Sequence, residues 1–114
     1  MKIAFTSVGK TWESKIDPRF GRAEYIAIYD QEADSFTVLD NTEVTNKAHG
    51  AGTSTAQKVF ELKPDVLITG NGPGDNAAII LKKLNLKVFV NAQNYTLKEA
   101  YEKYKNNTLE MISF

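Results

Sequence analysis

Val66-Leu67-Ile68-Thr69 constrains the fold more than any other segment of this chain. This short apolar run stands between Pro64-Asp65 and Gly70. A run without polar alternation is typical of a central strand that is covered on both faces. A glycine-rich segment follows directly, Gly70-Asn71-Gly72-Pro73-Gly74-Asp75, and its composition predicts a loop at the carboxyl end of that strand.

Helical and strand patterns alternate after this loop. Apolar residues at the i, i+3, i+4, i+7 spacing of a helix are Ala77, Ile80, Leu81 and Leu84. Residues 87–91 predict another strand, and Thr96-Leu97-Lys98-Glu99 has the pattern of a capping box that begins a last helix. Because crossovers between strands of one sheet are right-handed, the strands at 66–69 and 87–91 are expected to be parallel, with helices covering the sheet.

The residues before Val66 predict three more strands and one helix. The first strand covers 3–8, and the runs 25–29 and 36–39 predict a hairpin. A helix follows with apolar residues at helical spacing, and Pro64 ends it. We therefore expect five strands in one mixed sheet, with the strands at 3–8 and 66–69 as parallel neighbours.

The composition is that of a single globular domain spanning residues 1–114. Apolar residues make up 42% of the chain and charged residues 25%, and 14 basic residues balance 14 acidic ones. This balance argues against nucleic-acid binding, which normally needs a basic excess. The absence of cysteine excludes disulfides, a thiolate nucleophile and cysteine-ligated metal sites. With neither a signal segment nor a membrane span in the pattern, we expect a cytoplasmic protein with no membrane partner.

Glycine-rich loops mark the predicted functional site. In open sheets, ligands bind beyond the carboxyl ends of strands, where the strand order changes direction. Ser7-Val8-Gly9 and Gly70-Asn71-Gly72 follow two such strands, and His49-Gly50-Ala51-Gly52-Thr53 comes just before a helix. Unpaired amides at a helix start attract anions. Each glycine could also serve a turn alone, but three such loops at one place indicate an anion- or cofactor-binding pocket.

Charged side chains add to this prediction. Arg19 and Arg22 flank Phe20-Gly21 in a long polar loop at residues 10–23, and forked donors suit carboxylate or phosphate recognition. His49, the only histidine, is the candidate metal ligand, although a lone histidine is often only structural. The residues assigned to the pocket are Ser7, Gly9, Arg19, Phe20, Gly21, Arg22, His49, Gly50, Ala51, Gly52, Thr53, Gly70, Asn71 and Gly72.

Nucleotide-binding and catalytic motifs are absent from the sequence. Gly70-x-Gly72 lacks the third small residue of the dinucleotide fingerprint, since Asp75 stands there, and the Walker lysine is missing. No Ser/His/Asp or HExxH pattern is present. Scattered carboxylates such as Asp17 and Asp75 are expected at turns, where they provide solubility and capping. The pattern therefore favours binding over catalysis.

Three segments together resemble the dinitrogenase iron–molybdenum cofactor biosynthesis family. These are Asp17-Pro18-Arg19-Phe20-Gly21-Arg22-Ala23-Glu24-Tyr25, then Gly50-Ala51-Gly52, and then Gly70-Asn71-Gly72-Pro73. The resemblance runs over essentially the whole chain. It implies a ribonuclease-H-like α/β fold with strand order 3-2-1-4-5 and helices on both faces. It also implies that the protein binds or carries a metal-cluster cofactor or its precursor.

The leading hypothesis is a non-enzymatic binding or carrier protein for an anionic metallocofactor, of iron–molybdenum or iron–sulfur type, or for a related small ligand. The cluster would be held transiently, and a cofactor-assembly protein would be the natural partner. The alternative is a protein-interaction or regulatory module of the same fold that holds no metal cofactor. An enzyme acting on a phosphate or carboxylate ranks last, because the sequence offers no catalytic set.

Overall fold

The computed structural model describes residues 1–46 and 48–112, and its centre is one mixed sheet. The strands are β1 (Lys2–Ser7), β2 (Tyr25–Asp30), β3 (Ser35–Asp40), β4 (Val66–Ile68), β5 (Lys87–Val90) and β6 (Glu110–Ile112). Their order is β3-β2-β1-β4-β5-β6. The predicted order 3-2-1-4-5 is confirmed for the first five strands, but the predicted number of five is wrong. The sixth strand has only three residues, too few for a recognisable alternation.

The direction of pairing changes on either side of β1. β1 pairs antiparallel with β2, and Ile3 lies opposite Tyr29. On its other side β1 runs parallel to β4, with Ile3 opposite Val66. β4 and β5 are also parallel, whereas β5 and β6 are antiparallel. The expected parallel contact between β1 and β4 is confirmed, so the strand order reverses between them.

In the part of the chain that the structure describes, four helices connect the strands: α1 (Thr42–Thr45), α2 (Ala51–Leu62), α3 (Asp75–Leu81) and α4 (Leu97–Lys105). The single-turn α1 was not predicted, because residues 41–52 have a polar, loop-like sequence. α3 ends at Leu81, so the predicted stripe residue Leu84 lies beyond it, where its amide bonds Leu81 O at 3.0 Å. In the described part of the chain, no helix is both long and apolar enough to cross a membrane.

The capping box of α4 is confirmed. The Glu99 amide donates to Thr96 Oγ1 at 3.1 Å, and the Thr96 amide donates to Glu99 Oε1 at 2.9 Å. The hydrogen bonds from Thr96 lower the pKa of the Glu99 carboxyl below its usual value. The cap fixes where α4 starts and how it enters the sheet face.

Helices cover both faces of the sheet, as predicted. On one face, Val59 of α2 and Leu81 of α3 pack with Leu67 of β4 in one buried cluster. On the other face, Leu97 of α4 joins a second buried cluster that contains Ile68. The loop at residues 10–23 contributes to both clusters, because Phe20 lies in the first and Ile16 in the second.

Candidate functional site

The predicted site lies at the carboxyl ends of β1 and β4, where two buried threonines join the strands. Thr6 Oγ1 lies 2.8 Å from Thr69 Oγ1 and donates to Asp17 O at 2.9 Å. The amide of Asp17 in turn donates to Thr6 O at 2.9 Å. These contacts tie the long polar loop to the point where the strand order reverses.

Asp17 organises this loop from a fully buried position. Its Oδ1 accepts hydrogen bonds from the amide and Nε of Arg19 at 3.0 and 3.2 Å. Its Oδ2 accepts from Arg19 Nη2 at 3.2 Å and from the amide of Glu24 at 3.3 Å. The expectation that Asp17 is a solvated turn residue is wrong, because four donors from its own loop compensate for its burial.

The two arginines of the loop have different surroundings. The hydrogen bond to Asp17 raises the pKa of the Arg19 guanidinium, whose side chain is half exposed. The Nε and Nη2 groups of Arg19 are therefore already bonded to a partner within the loop. Arg22 Nη1 instead donates to Thr45 O at 2.8 Å, at the end of α1. Within residues 1–46 and 48–112, no carboxylate lies at ion-pair distance from Arg22, so its positive charge is not balanced locally.

Close backbone contacts bring the glycine loops together. A Cβ added to Gly70 would lie 2.5 Å from Pro18 Cα, and the Asn71 amide donates to Pro18 O at 2.7 Å. A Cβ added to Gly21 would lie 2.9 Å from Gly52 Cα. Glycine is required at both positions, since neither backbone has room for a side chain. The 17–22 segment therefore lies between the loop after β4 and the start of α2.

The start of α2 has a glycine at its N-cap position. This residue, Gly50, has a φ of 77°, and among the described residues no side-chain hydrogen bond caps the helix. Gly50 O accepts the first helical hydrogen bond, from the Ser54 amide at 2.9 Å. The amides of residues 51–53 have no acceptor inside the helix, as in any helix start. Of these three residues Ala51 is buried, whereas Gly52 is half-buried and Thr53 is exposed.

A cleft of about 250 Å³ opens at this helix start. Its lining residues are Gly50, Gly52, Thr53, Gly74, Asp75, Asn76 and Ala77. The N-cap of α3, Gly74, also lacks a side-chain cap. Asp75 is the acidic residue of the lining, so the cleft combines amide donors with one carboxylate.

The structure separates some predicted residues from this cleft. Ser7 Oγ donates to Gly9 O at 2.7 Å, and Gly9 packs against Ser14, so these residues form a turn of their own. Phe20 is only 3% exposed and belongs to the core beneath α2 and α3. Gly72 lies against Ile112 of β6.

Residues 74–77 line the cleft but are missing from the sequence prediction. The sequence contained one signal for them, because Gly74 directly precedes the apolar helical pattern of α3. In the structure this second helix start lies beside the start of α2.

His49 is exposed and directly precedes Gly50. In the part of the chain that the structure describes, no three histidine, cysteine, aspartate or glutamate side chains come together to hold a metal ion. The donor set therefore does not fit a resident metal centre with several protein ligands. His49 is next in sequence to the cleft residue Gly50 but is not itself among the lining residues.

The comparisons with known proteins agree with this reading of the fold. A family model described as dinitrogenase iron–molybdenum cofactor matches residues 1–107. The apo form of the orange protein from Desulfovibrio gigas has a TM-score of 0.90 and 28% identity, covering 98% of this chain and 92% of that one. An NMR structure of a Thermotoga protein, described as a candidate NifB protein of the DUF35 family, has a TM-score of 0.82 and 33% identity. That match covers 99% of this chain and 95% of the other.

No curated protein matches the chain. The family model, however, covers all of the strands and helices except β6. The chain thus belongs to the dinitrogenase iron–molybdenum cofactor family.

Proposed function

We propose that this protein is a non-enzymatic carrier for an anionic metal cluster of the iron–molybdenum or iron–sulfur type. The observation that carries the proposal is the uncapped start of α2, which opens on a cleft of about 250 Å³ beside the strand-order reversal. Amide donors in such a place stabilise a negative charge without themselves needing a countercharge. The cluster is cargo, bound and handed on, for which a single protein ligand is an advantage.

Each part of the site has its own role in this proposal. The amides of Gly52 and Thr53, which line the cleft, face the cargo, and the imidazole of His49 is its one metal ligand. Arg22 adds a positive charge that no carboxylate of the described residues balances. Arg19, Gly21 and Gly70–Gly72 shape the loops that support the cleft, and Ser7, Gly9 and Phe20 support those loops from farther away.

The comparisons support the class of cargo. The matching family is named for the iron–molybdenum cofactor, and the orange protein structure is an apo form, a term used for a protein without its cofactor. The similarity to the Thermotoga NifB candidate suggests a cofactor-assembly protein as the partner that delivers or receives the cargo. The cytoplasmic location and the ribonuclease-H-like fold class stay predictions.

The test is binding of isolated iron–molybdenum cofactor under anaerobic conditions, followed by its absorption spectrum after gel filtration. We expect the wild-type protein to retain the cofactor and His49→Ala to retain much less, while both remain folded. Retention by the wild type should fall in acid, because only neutral imidazole coordinates a metal. His49→Gln is the matched control, since it keeps a polar side chain without an imidazole.

Two results would contradict the assignment. If binding becomes tighter at low pH, an imidazolium pairs with the anion and His49 is not a metal ligand. If the wild type and His49→Ala retain the cofactor equally at every pH, only the amides and Arg22 are left as the site. No binding at all would overturn the carrier proposal and favour the protein-interaction module.

A further inference from the structure

A cluster of aromatic side chains lies on the other side of the sheet from α2 and α3. Trp12 stacks on Phe36 with ring centroids 4.7 Å apart and meets Tyr29 edge-on at 5.2 Å. Tyr101 of α4 is 5.8 Å from Trp12 and 5.4 Å from Tyr29. These rings extend the buried core of that face, but all four remain partly exposed.

The cluster surrounds a cavity of about 280 Å³. Its lining residues are Trp12, Glu13, Tyr29, Asp34, Lys98 and Tyr101. Three aromatic rings thus line one small space together with two carboxylates and one ammonium group. None of these residues lines the cleft at the start of α2.

Hydrogen bonds hold the two tyrosines in place. Tyr29 Oη donates to Asp34 Oδ1 at 2.8 Å, which raises the pKa of the Tyr29 phenol. Gln31 Nε2 donates to Tyr101 Oη at 2.9 Å. Asp34 adopts a φ of 49° in the turn between β2 and β3, a conformation that Asp and Asn tolerate better than other residues. The lining is therefore preorganised and not a chance gap between mobile side chains.

The charges of the lining favour a cation. In the described chain, neither Glu13 nor Asp34 takes part in an ion pair, and both are exposed at the cavity. Lys98 offsets only one of these two negative charges. Rings of this face already have ammonium groups over them, since Lys105 Nζ lies 4.7 Å from the centre of Tyr101, a ring of the lining, and Lys103 Nζ lies 4.8 Å from that of the neighbouring Tyr95.

We propose that this cavity binds a small organic cation that carries a methylated ammonium group, such as a choline-type compound. Aromatic rings attract cations through their electron-rich faces, and a methylated ammonium fits because its apolar surface packs on the rings while its charge stays unquenched. The carboxylates of Glu13 and Asp34 supply the countercharge. This site is independent of the metal-cluster carrier function.

Trp12 provides the readout, because it is the only tryptophan of the chain. We expect choline to change the fluorescence of Trp12 saturably in the wild-type protein. Dimethylbutanol, the neutral carbon analogue of choline, has the same shape without the charge. It should bind at least about tenfold more weakly if cation–π attraction and the carboxylates provide the affinity.

Single charge changes sharpen the test. Glu13→Gln and Asp34→Asn should each weaken choline binding about threefold to tenfold, because each removes one countercharge and keeps the side-chain shape. Lys98→Gln should tighten it, since it removes the only repulsive charge of the lining. The control is Glu61→Gln, which makes the same charge change at an exposed position of α2, outside this cavity. It should leave the affinity unchanged.

Three outcomes would overturn the proposal. The first is the absence of a saturable Trp12 signal with choline in the folded wild type. The second is equal binding of choline and dimethylbutanol, which would show a merely apolar cavity. The third is equal weakening by Glu61→Gln, which would show a general effect of net charge instead of a site.

Discussion

The Asp17 loop and the start of α2 are adjacent segments built on opposite principles. In the loop, the buried Asp17 carboxylate binds two backbone amides and both ends of the Arg19 fork. At the start of α2, Gly50 has a left-handed backbone, and no side chain caps the helix. Polar groups are satisfied within the chain in the first segment, whereas the second has backbone donors without a side-chain cap among the described residues.

This difference shows that polar residues and glycines in a loop do not by themselves indicate a ligand. The Arg19 fork has the chemistry of an anion receptor, yet its partner is Asp17 of the same loop. The amides at the start of α2 have no such partner in a side-chain cap. A candidate ligand site is therefore better indicated by hydrogen-bond donors without a partner in the chain than by the mere presence of donors.

The largest effect on stability should come from removing the carboxylate at the centre of the Asp17 loop. Asp17→Ala leaves the Arg19 and Glu24 donors without their acceptor, and we expect the free energy of unfolding to fall by about 2–4 kcal/mol. Urea denaturation measures this. Glu13→Ala, an exposed carboxylate of the same loop, should change stability by no more than about 0.5 kcal/mol. Equal effects of the two variants would mean that the loop does not depend on Asp17.

A second test concerns the contact between the two segments. Gly21→Ala places a Cβ 2.9 Å from Gly52 Cα, so one backbone must move, at a cost of about 1–3 kcal/mol. The control is the same substitution on the other side of the contact, at Gly52. In Gly52→Ala the added Cβ meets Ala77 Cβ at an ordinary 3.9 Å, and alanine favours the helix by about 1 kcal/mol. If both variants were equally stable, the close approach of the loop to α2 would be disproved.

A third test concerns the start of α2 alone. Gly50→Ala meets no atom within 4 Å, but its φ of 77° disfavours a side chain, and we expect a loss of about 1–2 kcal/mol. Gly74→Ala has equally open space and an ordinary φ of −69°. It should be neutral or slightly stabilising, since it restricts the unfolded chain. Thermal unfolding distinguishes the two, and a stabilising Gly50→Ala would contradict the left-handed conformation.

The smallest effect on stability should come from Arg22. Arg22→Ala removes one partly exposed hydrogen bond to Thr45 O, for about 0.5 kcal/mol. Its effect should instead appear in retention of the iron–molybdenum cofactor, because the unbalanced charge is lost. Arg22→Lys keeps the charge and should retain more cofactor than Arg22→Ala. If Arg22→Ala unfolds the protein, Arg22 has a structural role like that of the Asp17 loop.

Local pattern was enough to predict most of the fold. The apolar run at 66–69, the hairpin around residues 30–35 and the Thr96–Glu99 capping box all lie within a few residues of sequence. Each agrees with the structure. The handedness of crossovers predicted that β4 and β5 are parallel. The contact of β1 with β4 agrees with the strand order that the family resemblance implied. β6 escaped detection because its three residues depend on pairing with β5 for their conformation.

The site was harder to predict, because burial of a polar side chain depends on distant partners. Nothing in the local pattern around Asp17 shows that Thr6 and Thr69 will close over its backbone. In the same way, the glycines at 21 and 52 look like turn residues, although each is shaped by a segment about thirty residues away. The Asp-Pro-Arg sequence contained one usable signal. An aspartate two residues before an arginine often binds its amide.

The placement of β1 at the centre of the sheet has a consequence for how the protein folds. β1 can join β2 and β3 once the chain reaches Asp40, but Ile3 must wait for Val66 before the parallel half of the sheet can form. Distant pairings of this kind close a long loop of chain and are expected to form late. The antiparallel meander should therefore appear first during synthesis, and the cleft at the start of α2 should be completed only when β4 docks. A nascent chain would then lack this cleft until most of the protein has left the ribosome.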